Sequence, residues 1–238
     1  MLDLRGMTVV LTRATGDNAD LARGFTLEGA HIIELPCIRI ERLRDRRELD
    51  AALAALTTDD WLVVTSRHGV DAVTGGPPIV AGVAAIGLTT AERLRMRGIR
   101  PAFVPSVATG ECLAVELPQR SGRVLLARSD RALPDLPIHL RARGFVVGEA
   151  VAYHTIPGVT GDAREVRAAL AGDPASVAIA LSSPSALDAL IAALGADLVS
   201  RATLLAGGPT TQRIARQRLG PDARIEINVE EAAHVAHR

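Results

Sequence analysis

The amino-acid sequence predicts an α/β protein of two similar doubly wound parallel-sheet domains joined by a two-stranded connector. Short apolar runs alternate with longer stretches of helical spacing along the whole chain. Blocks of the first half recur, in the same order, in the second half. An alternation of strands and helices is typical of a parallel sheet with helices on both faces. The repetition predicts that this arrangement occurs twice.

Ten apolar runs have the pattern of buried strands, because they are short and rich in aliphatic residues. They lie at 8–12, 31–35, 61–65, 82–87, 101–104, 123–127, 145–148, 176–181, 202–206 and 224–228. Eight stretches between them combine helical spacing with good helix formers. These stretches are 18–28, 48–56, 68–74, 90–97, 133–143, 163–171, 184–194 and 210–218. Right-handed crossovers are expected between the parallel strands.

The internal duplication is visible as three matched blocks. The first is an apolar run that ends in arginine, and in both copies a glycine follows that arginine sixteen residues later. The second is a strand that ends in small hydroxyl residues, and the third is a glycine followed by threonines. The pairs are Val9–Arg13 with Val124–Arg128 at an offset of 115 residues, Trp61–Ser66 with Val177–Ser183 at 117, and Gly87–Thr90 with Gly208–Thr211 at 121.

Two segments do not fit the alternation of strands and helices. Pro36–Ile40 and Ala150–Pro157 are extended and bounded by proline, and they occupy equivalent places in the two repeats. We therefore interpret them as a pair of connectors that run between the domains.

Composition excludes several classes of protein. The 238 residues include 27 basic and 27 acidic residues, and only 2% are aromatic. A neutral chain with few stacking side chains argues against nucleic-acid binding. All the basic residues are arginines, which either serve an acidic ligand or reflect a general compositional bias. The bias is the favoured interpretation, because arginines also crowd the polar stretch 42–47.

The sequence contains no familiar cofactor or metal motif. A dinucleotide fingerprint, a P-loop and a nucleophile elbow are all absent. Cys37 and Cys112 have neither disulfide nor metal spacing, and His234 and His237 fall in a tail where solvated histidines are the expected interpretation. We see neither a signal peptide nor a membrane span, and we expect a cytoplasmic protein.

Small polar residues cluster where predicted strands end. Ligands of open α/β sheets bind at the carboxyl ends of the strands, where helix N-termini present N–H groups. Each of these hydroxyl residues also has a second interpretation, as the N-cap of the helix that follows. The candidates are Thr12, Arg13, Thr65, Ser66, Gly87, Thr90, Arg128, Ser182, Ser183, Gly208 and Thr211.

Tyr153 is the only tyrosine and lies on the second connector segment. A phenol at this place could donate a proton to a ligand. The alternative is a residue that packs at a domain junction with its hydroxyl in water, and the residues alone favour that alternative.

Taken together, five motifs resemble those of uroporphyrinogen-III synthases, and the resemblance covers about residues 8 to 220. Each motif is weak alone, but their order is specific. They are the repeated Thr12-Arg13 strand end, the block Thr65–Val70, the block Gly87–Leu94, Val104-Pro105 followed by Ala108-Thr109, and the segment Tyr153–Thr155.

The resemblance implies that the chain crosses twice between two domains. The first domain would contain 1–36 and 157–238, the second 41–148, and the connectors would be 37–40 and 149–156. The repeat alone would instead suggest two consecutive halves. The implied reaction closes hydroxymethylbilane to uroporphyrinogen III with loss of water and inversion of ring D, in a cleft between the domains and without a metal or an organic cofactor.

The resemblance also implies roles for individual residues. Tyr153 matches the tyrosine thought to assist departure of the hydroxyl group. Ser66, Thr90 and Thr211 match positions that line the cleft, and Ser183 is the repeat partner of Ser66. Position at strand ends adds two glycines and two arginines as substrate-binding candidates: Gly87, Gly208, Arg13 and Arg128.

The expected partner is a linear tetrapyrrole, with no nucleic acid or membrane, and we expect a monomer. A different class of function also stays open. The same fold would serve a non-catalytic sensor module that binds a tetrapyrrole or a small acid.

Overall fold

A computed structural model describes residues 2–227 of the chain, and His234, His237 and the end of the last predicted strand lie outside them. The strands are β1 Thr8–Leu11, β2 His31–Glu34, β3 Ile38–Arg42, β4 Trp61–Val64, β5 Gly82–Ala85, β6 Val124–Ser129, β7 Val147–Pro157, β8 Val177–Leu181, β9 Thr203–Ala206 and β10 Ile225–Ile227. The α-helices are α1 Ala19–Leu27, α2 Arg47–Ala54, α3 Arg67–Val73, α4 Leu88–Met96, α5 Gly110–Glu116, α6 Asp135–Ala142, α7 Ala163–Gly172, α8 Pro184–Leu194, α9 Ala196–Val199 and α10 Pro209–Leu219.

Contacts between residues divide the chain into two compact units. Among the described residues 2–227, the first unit contains those up to Arg39 and those from Ile156, and the second contains Ile40–Thr155. The chain therefore leaves the first unit once and returns to it once, unlike the two consecutive halves that the repeat alone would suggest. The finer domain boundaries at 36, 41, 148 and 157 stay a prediction.

The sheet of the first unit has the strand order β10-β9-β8-β1-β2, and its paired strands are parallel. Alternate residues of a strand point to opposite faces. Val10 accordingly packs with α7 and α8 in one core cluster, whereas Val9 and Leu11 pack with Phe25 of α1 in another. Because helices cover both faces, the unit is doubly wound.

The sheet of the second unit has the order β3-β7-β6-β4-β5. Leu62 and Val64 of β4 belong to the cluster formed with α2, α3 and α4. Trp61 and Val63 point to the other face and pack with α5 and α6. The predicted fold class of two doubly wound parallel-sheet domains is confirmed.

The duplication appears in the strand orders. The first sheet contains the run β9-β8-β1-β2, and the second contains β5-β4-β6-β7. The matched sequence blocks occupy matched places, since β1 corresponds to β6, β8 to β4 and β9 to β5. Each sheet thus combines strands from both halves of the sequence.

Two details differ from the prediction. The run 101–104 forms only an isolated bridge between Phe103 and Ala84, because Pro101 and Pro105 have no N–H group to extend a ladder. The short helices α5 and α9 were not predicted. The two predicted connector segments are extended in the structure: the first contains most of β3, the second is the continuous end of β7, and the two strands are neighbours in one sheet. Their bounds as connectors stay a prediction.

In the described part of the chain, every helix is too short or too polar to cross a membrane.

Candidate functional site

In the first unit, the parallel strands β9, β8 and β1 bring four predicted residues to one edge of the sheet. Arg13 follows β1, Ser183 follows β8, and Gly208 and Thr211 follow β9. Parallel neighbours end on the same side, so all four lie at the carboxyl edge.

The hydroxyl residues at this edge also serve the fold. Ser183 is the N-cap of α8, and its Oγ accepts a hydrogen bond of 3.3 Å from the Ala186 N–H. Thr12 is fully buried and donates its hydroxyl to the carbonyl of Ala180 at 2.6 Å, which fastens the end of β1 to β8. Thr211 is buried in the first turn of α10. The capping interpretation thus holds for Ser183, and its ligand role stays a prediction.

The carboxyl edge of the second sheet holds the other five predicted residues. Ser66 follows β4, Gly87 and Thr90 follow β5, Arg128 lies near the end of β6, and Tyr153 lies on β7. Gly87 is the N-cap of α4 in an extended conformation, and Thr90 is buried in the first turn of that helix.

Ser66 and Tyr153 are joined by a hydrogen bond of 2.9 Å between their hydroxyl oxygens. Ser66 is also the N-cap of α3, because its Oγ accepts a hydrogen bond of 3.1 Å from the Gly69 N–H. A serine hydroxyl has one donor and two acceptor sites. The cap takes one acceptor site, so the oxygen retains capacity for both the phenol and a ligand.

Gly69 allows α3 to begin this close to the sheet. A Cβ atom at this position would lie 2.9 Å from Val64 Cγ1 and 3.2 Å from the carbonyl oxygen of Ala127. Any larger residue would push the helix away from β4 and β6. The close approach therefore sets the place from which Ser66 reaches Tyr153.

The Tyr153 side chain lies in a buried setting, with 8% of the residue exposed. Burial raises the pKa of its phenol, the hydrogen bond with Ser66 partly opposes this, and the negative charge of Asp130 raises it further. The phenol is therefore protonated at neutral pH. The ring of His68 packs against it, with centroids 5.6 Å apart and planes at 59°.

Arg128 is buried and already engaged with the protein. Its guanidinium pairs with Glu149, and its Nη1 donates a hydrogen bond of 2.6 Å to the carbonyl of Leu133. Arg141 contacts the same glutamate at 3.2 Å. These contacts hold β6 against β7 and the loop that follows β6. A role of Arg128 toward a substrate carboxylate stays a prediction.

A polar cluster beside Tyr153 was missed by the sequence reasoning. Asp130 accepts hydrogen bonds of 3.0 Å from the Thr155 N–H and from the Ser129 hydroxyl, and it contacts His154 Nδ1 at 3.0 Å. Burial opposes the charged form of Asp130, but these hydrogen bonds together lower the pKa of the carboxyl. The sequence does contain a signal for this cluster, because His154 and Thr155 directly follow the tyrosine. Only the tyrosine of that segment is interpreted from the sequence.

Comparisons with known proteins point to one family. The family model described as HEM4, Uroporphyrinogen-III synthase HemD, matches residues 19–225. A uroporphyrinogen-III synthase of Synechococcus elongatus is 28% identical over 163 residues, covering 64% of this chain and 62% of the relative. A chloroplastic uroporphyrinogen-III synthase of Oryza sativa is 29% identical over 194 residues, covering 76% and 63%. The chain thus spans less than two thirds of the length of these relatives.

Solved structures with this family name share the fold. A mutant uroporphyrinogen III synthase of the extremely thermophilic bacterium Thermus thermophilus matches with a TM-score of 0.63 at 24% identity, over 90% of each chain. A uroporphyrinogen-III synthetase of Helicobacter pylori matches with a TM-score of 0.53 at 15% identity, over 98% of each chain. At these identities the likeness describes the fold alone.

Proposed function

Because the chain belongs to the uroporphyrinogen-III synthase family, we propose that it closes hydroxymethylbilane to uroporphyrinogen III with loss of water and inversion of ring D. The observation that carries this proposal is the hydrogen-bonded pair of Ser66 and Tyr153 at a strand edge, within a chain whose family match spans residues 19–225. The fold alone would not imply the reaction.

Tyr153 is proposed to assist departure of the substrate hydroxyl. Burial, the first cause of its raised pKa, keeps the phenol protonated at working pH. Ser66 would orient this proton by donating its own hydroxyl hydrogen to the phenol oxygen, while its lone pair accepts the Gly69 N–H. The phenol hydrogen is then directed to the leaving oxygen, which departs as water and leaves an azafulvene cation.

The remaining candidates are proposed to hold the carboxylates of the substrate. The N-termini of α4 and α10 begin at Gly87 and Gly208, and a helix N-terminus with its N–H groups attracts anions. Thr90, Thr211 and Ser183 offer hydroxyl donors in the first turn or at the cap of a helix. Arg13 and Arg128 would supply charge.

Holding the two chain ends together is proposed to be much of the catalysis. An oriented closure avoids the entropy loss of bringing two flexible ends together. Free hydroxymethylbilane closes at a simpler position and gives the type I isomer. To give type III, the site must bind the transition state for closure at the substituted carbon of ring D better than the transition state for the simpler closure. We propose that this chemistry needs no metal or organic cofactor.

The decisive experiment is the isomer assay. Purified full-length protein receives hydroxymethylbilane, the products are oxidised to porphyrins, and chromatography separates the type I and type III isomers. The proposal expects type III to dominate. A product mixture identical to that of the buffer control would overturn it, and tight tetrapyrrole binding without turnover would match the sensor alternative.

A monomeric state and a cytoplasmic location are proposals of the same kind. Light scattering during size-exclusion chromatography tests the first, and cell fractionation tests the second. A stable dimer, or recovery in an organelle or membrane fraction, would contradict them.

A further inference from the structure

A cavity of about 490 Å³ lies within the second unit, beside α3 and the strands β3 and β7. One part of its lining is apolar, with Ile40, Leu43, Ala72 and Ala152. These residues belong to the core cluster or pack against it. Tyr153 lines the same cavity. A volume of this size matches those of small-molecule sites, which are about 300–1,000 Å³.

Three arginines and a histidine supply the polar part of the lining, together with one carboxylate. They are Arg42, Arg46, Arg97, His68 and Asp71. Arg46 is anchored, since it donates to the carbonyl of Ala72 and to Asp50, each at 2.8 Å. Its guanidinium is thus held in place before a ligand arrives.

The cavity has an excess of positive charge. Asp71 accepts hydrogen bonds of 2.8 Å from Arg93 and 2.6 Å from Arg97, so one carboxylate is shared by two guanidinium groups. Arg42 lines the cavity with an exposed side chain, so a ligand can reach its guanidinium group from solvent. The sum of these charges attracts an anion.

An apolar wall under a cationic rim fits an aromatic ring that bears carboxylates. The guanidinium group binds a carboxylate through two parallel N–H groups. A pyrrole with acidic side chains would pack its ring on Ile40 and Ala152 and direct its carboxylates to the arginines. A neutral apolar ligand would leave the excess positive charge of the cavity without an anionic partner.

We propose that this cavity binds one carboxylate-bearing pyrrole ring of the linear tetrapyrrole, with Arg42 as a carboxylate ligand. The identity of the substrate rests on the proposed function, but the preference for an acidic pyrrole rests on the cavity alone. Because Tyr153 lines the cavity, the ring held here lies next to the proposed proton donor.

The test compares charge reversals at two exposed arginines on full-length protein. Arg42→Glu changes a cavity residue, and Arg44→Glu makes the same change two residues further on, outside the lining. The probe is porphobilinogen, a monopyrrole with one acetate and one propionate, titrated in ligand-observed NMR. We expect about tenfold weaker binding for Arg42→Glu and less than about twofold for Arg44→Glu. Unchanged melting temperatures establish that both variants fold.

The outcomes test the cavity proposal and the proposed function separately. Equal weakening by both variants would show unspecific surface charge, and no weakening or no wild-type binding would show that the cavity is not a pyrrole site. Each of these results overturns the inference. The isomer assay on the same preparations judges the proposed function separately, because a type I product from wild-type protein would refute the reaction while the NMR titration still judges the cavity.

Discussion

The Ser66→Ala variant separates the helix-capping role of this side chain from its contact with Tyr153. Loss of the bond to the Gly69 N–H removes an N-cap, which costs about 1 kcal/mol. The Tyr153 hydroxyl, on a residue that is 8% exposed, also loses its partner at 2.9 Å. A buried polar group without a partner costs about 1–3 kcal/mol. We expect the free energy of unfolding to fall by about 2–4 kcal/mol, the sum of the two losses.

A matched control isolates the capping part of this loss. Thr109 is the N-cap of α5, and its Oγ1 accepts a hydrogen bond of 3.1 Å from the Cys112 N–H, the same length as the cap of Ser66. Thr109→Ala should therefore lower the free energy of unfolding by only about 1 kcal/mol. Urea denaturation followed by circular dichroism measures both variants, and neither value involves the substrate.

The catalytic part is measured as kcat in the isomer assay. Tyr153→Phe should lower kcat by about ten- to a thousandfold if the phenol is a general acid. Ser66→Ala should lower it by about tenfold, because the phenol remains but loses its orientation. In the Tyr153→Phe background, Ser66→Ala should cause no further loss, since the group that it orients is absent.

Two results would refute this reasoning. If the kcat losses of Ser66→Ala and Tyr153→Phe multiply in the double variant, Ser66 acts on the substrate and not through the phenol. If Thr109→Ala lowers kcat as much as Ser66→Ala does, the loss reflects weakened helix ends in general.

Three further predictions concern packing, pH dependence and an ion pair in the second unit. Gly69→Ala should cost about 1–3 kcal/mol and lower kcat, because its Cβ would lie 2.9 Å from a side chain of β4, whereas Gly172→Ala, with no atom within 4 Å, should change stability by less than about 0.5 kcal/mol; equal effects in thermal melts would contradict this. Burial opposes the charge of Asp60, but hydrogen bonds of 2.7, 3.0 and 2.6 Å lower the pKa of its carboxyl. The stability that this carboxyl contributes is therefore present above its unfolded pKa of about 4 and is lost as pH falls through the lower folded value; Asp60→Asn should melt lower at pH 7 and depend less on pH below 4, and an acid profile parallel to that of the wild type would refute this. Arg128→Gln should lower the free energy of unfolding by about 2 kcal/mol, because the charged hydrogen bond with Glu149 is lost; a rise in KM in the same variant would support its role as a carboxylate ligand, and an unchanged KM would leave its role structural.

The strands and long helices were predictable because their local pattern agrees with their burial. The runs at β4, β6 and β8 are apolar except for Arg128 and Ser129 at the end of β6, and they lie in sheets covered on both faces. Helix α5 was missed for a physical reason. Its seven residues are too few to be stable alone, and its formation depends on packing against α6, where a Cβ on Gly110 would lie 3.1 Å from Leu136 Cβ. The helix propensity of the residues in α5 gives no information about that packing contact.

The strand-edge residues were predictable because parallel strands end on one side, but their contacts were not. Ser66 and Tyr153 are separated by 87 positions in the chain, and neither residue signals the other. The engagement of Arg128 with Glu149 was likewise invisible, since an arginine at a strand end has the same local pattern whether it binds a ligand or a neighbouring glutamate.

The orientation of Tyr153 depends on an irregularity that no periodic pattern contains. Consecutive residues of a regular strand point to opposite faces, so Ala152 and Tyr153 should not share a side of the sheet. The register of β6 and β7 shifts, however, because Arg128 pairs with Val151 and the next residue, Ser129, pairs with Tyr153. Ala152 is left without a partner in this ladder, as in a β-bulge, and both Ala152 and Tyr153 join the same core cluster and line the same cavity. A bulge re-aims a side chain in this way, and the extra residue thus turns the phenol toward Ser66 where a regular strand would have pointed it to the opposite face.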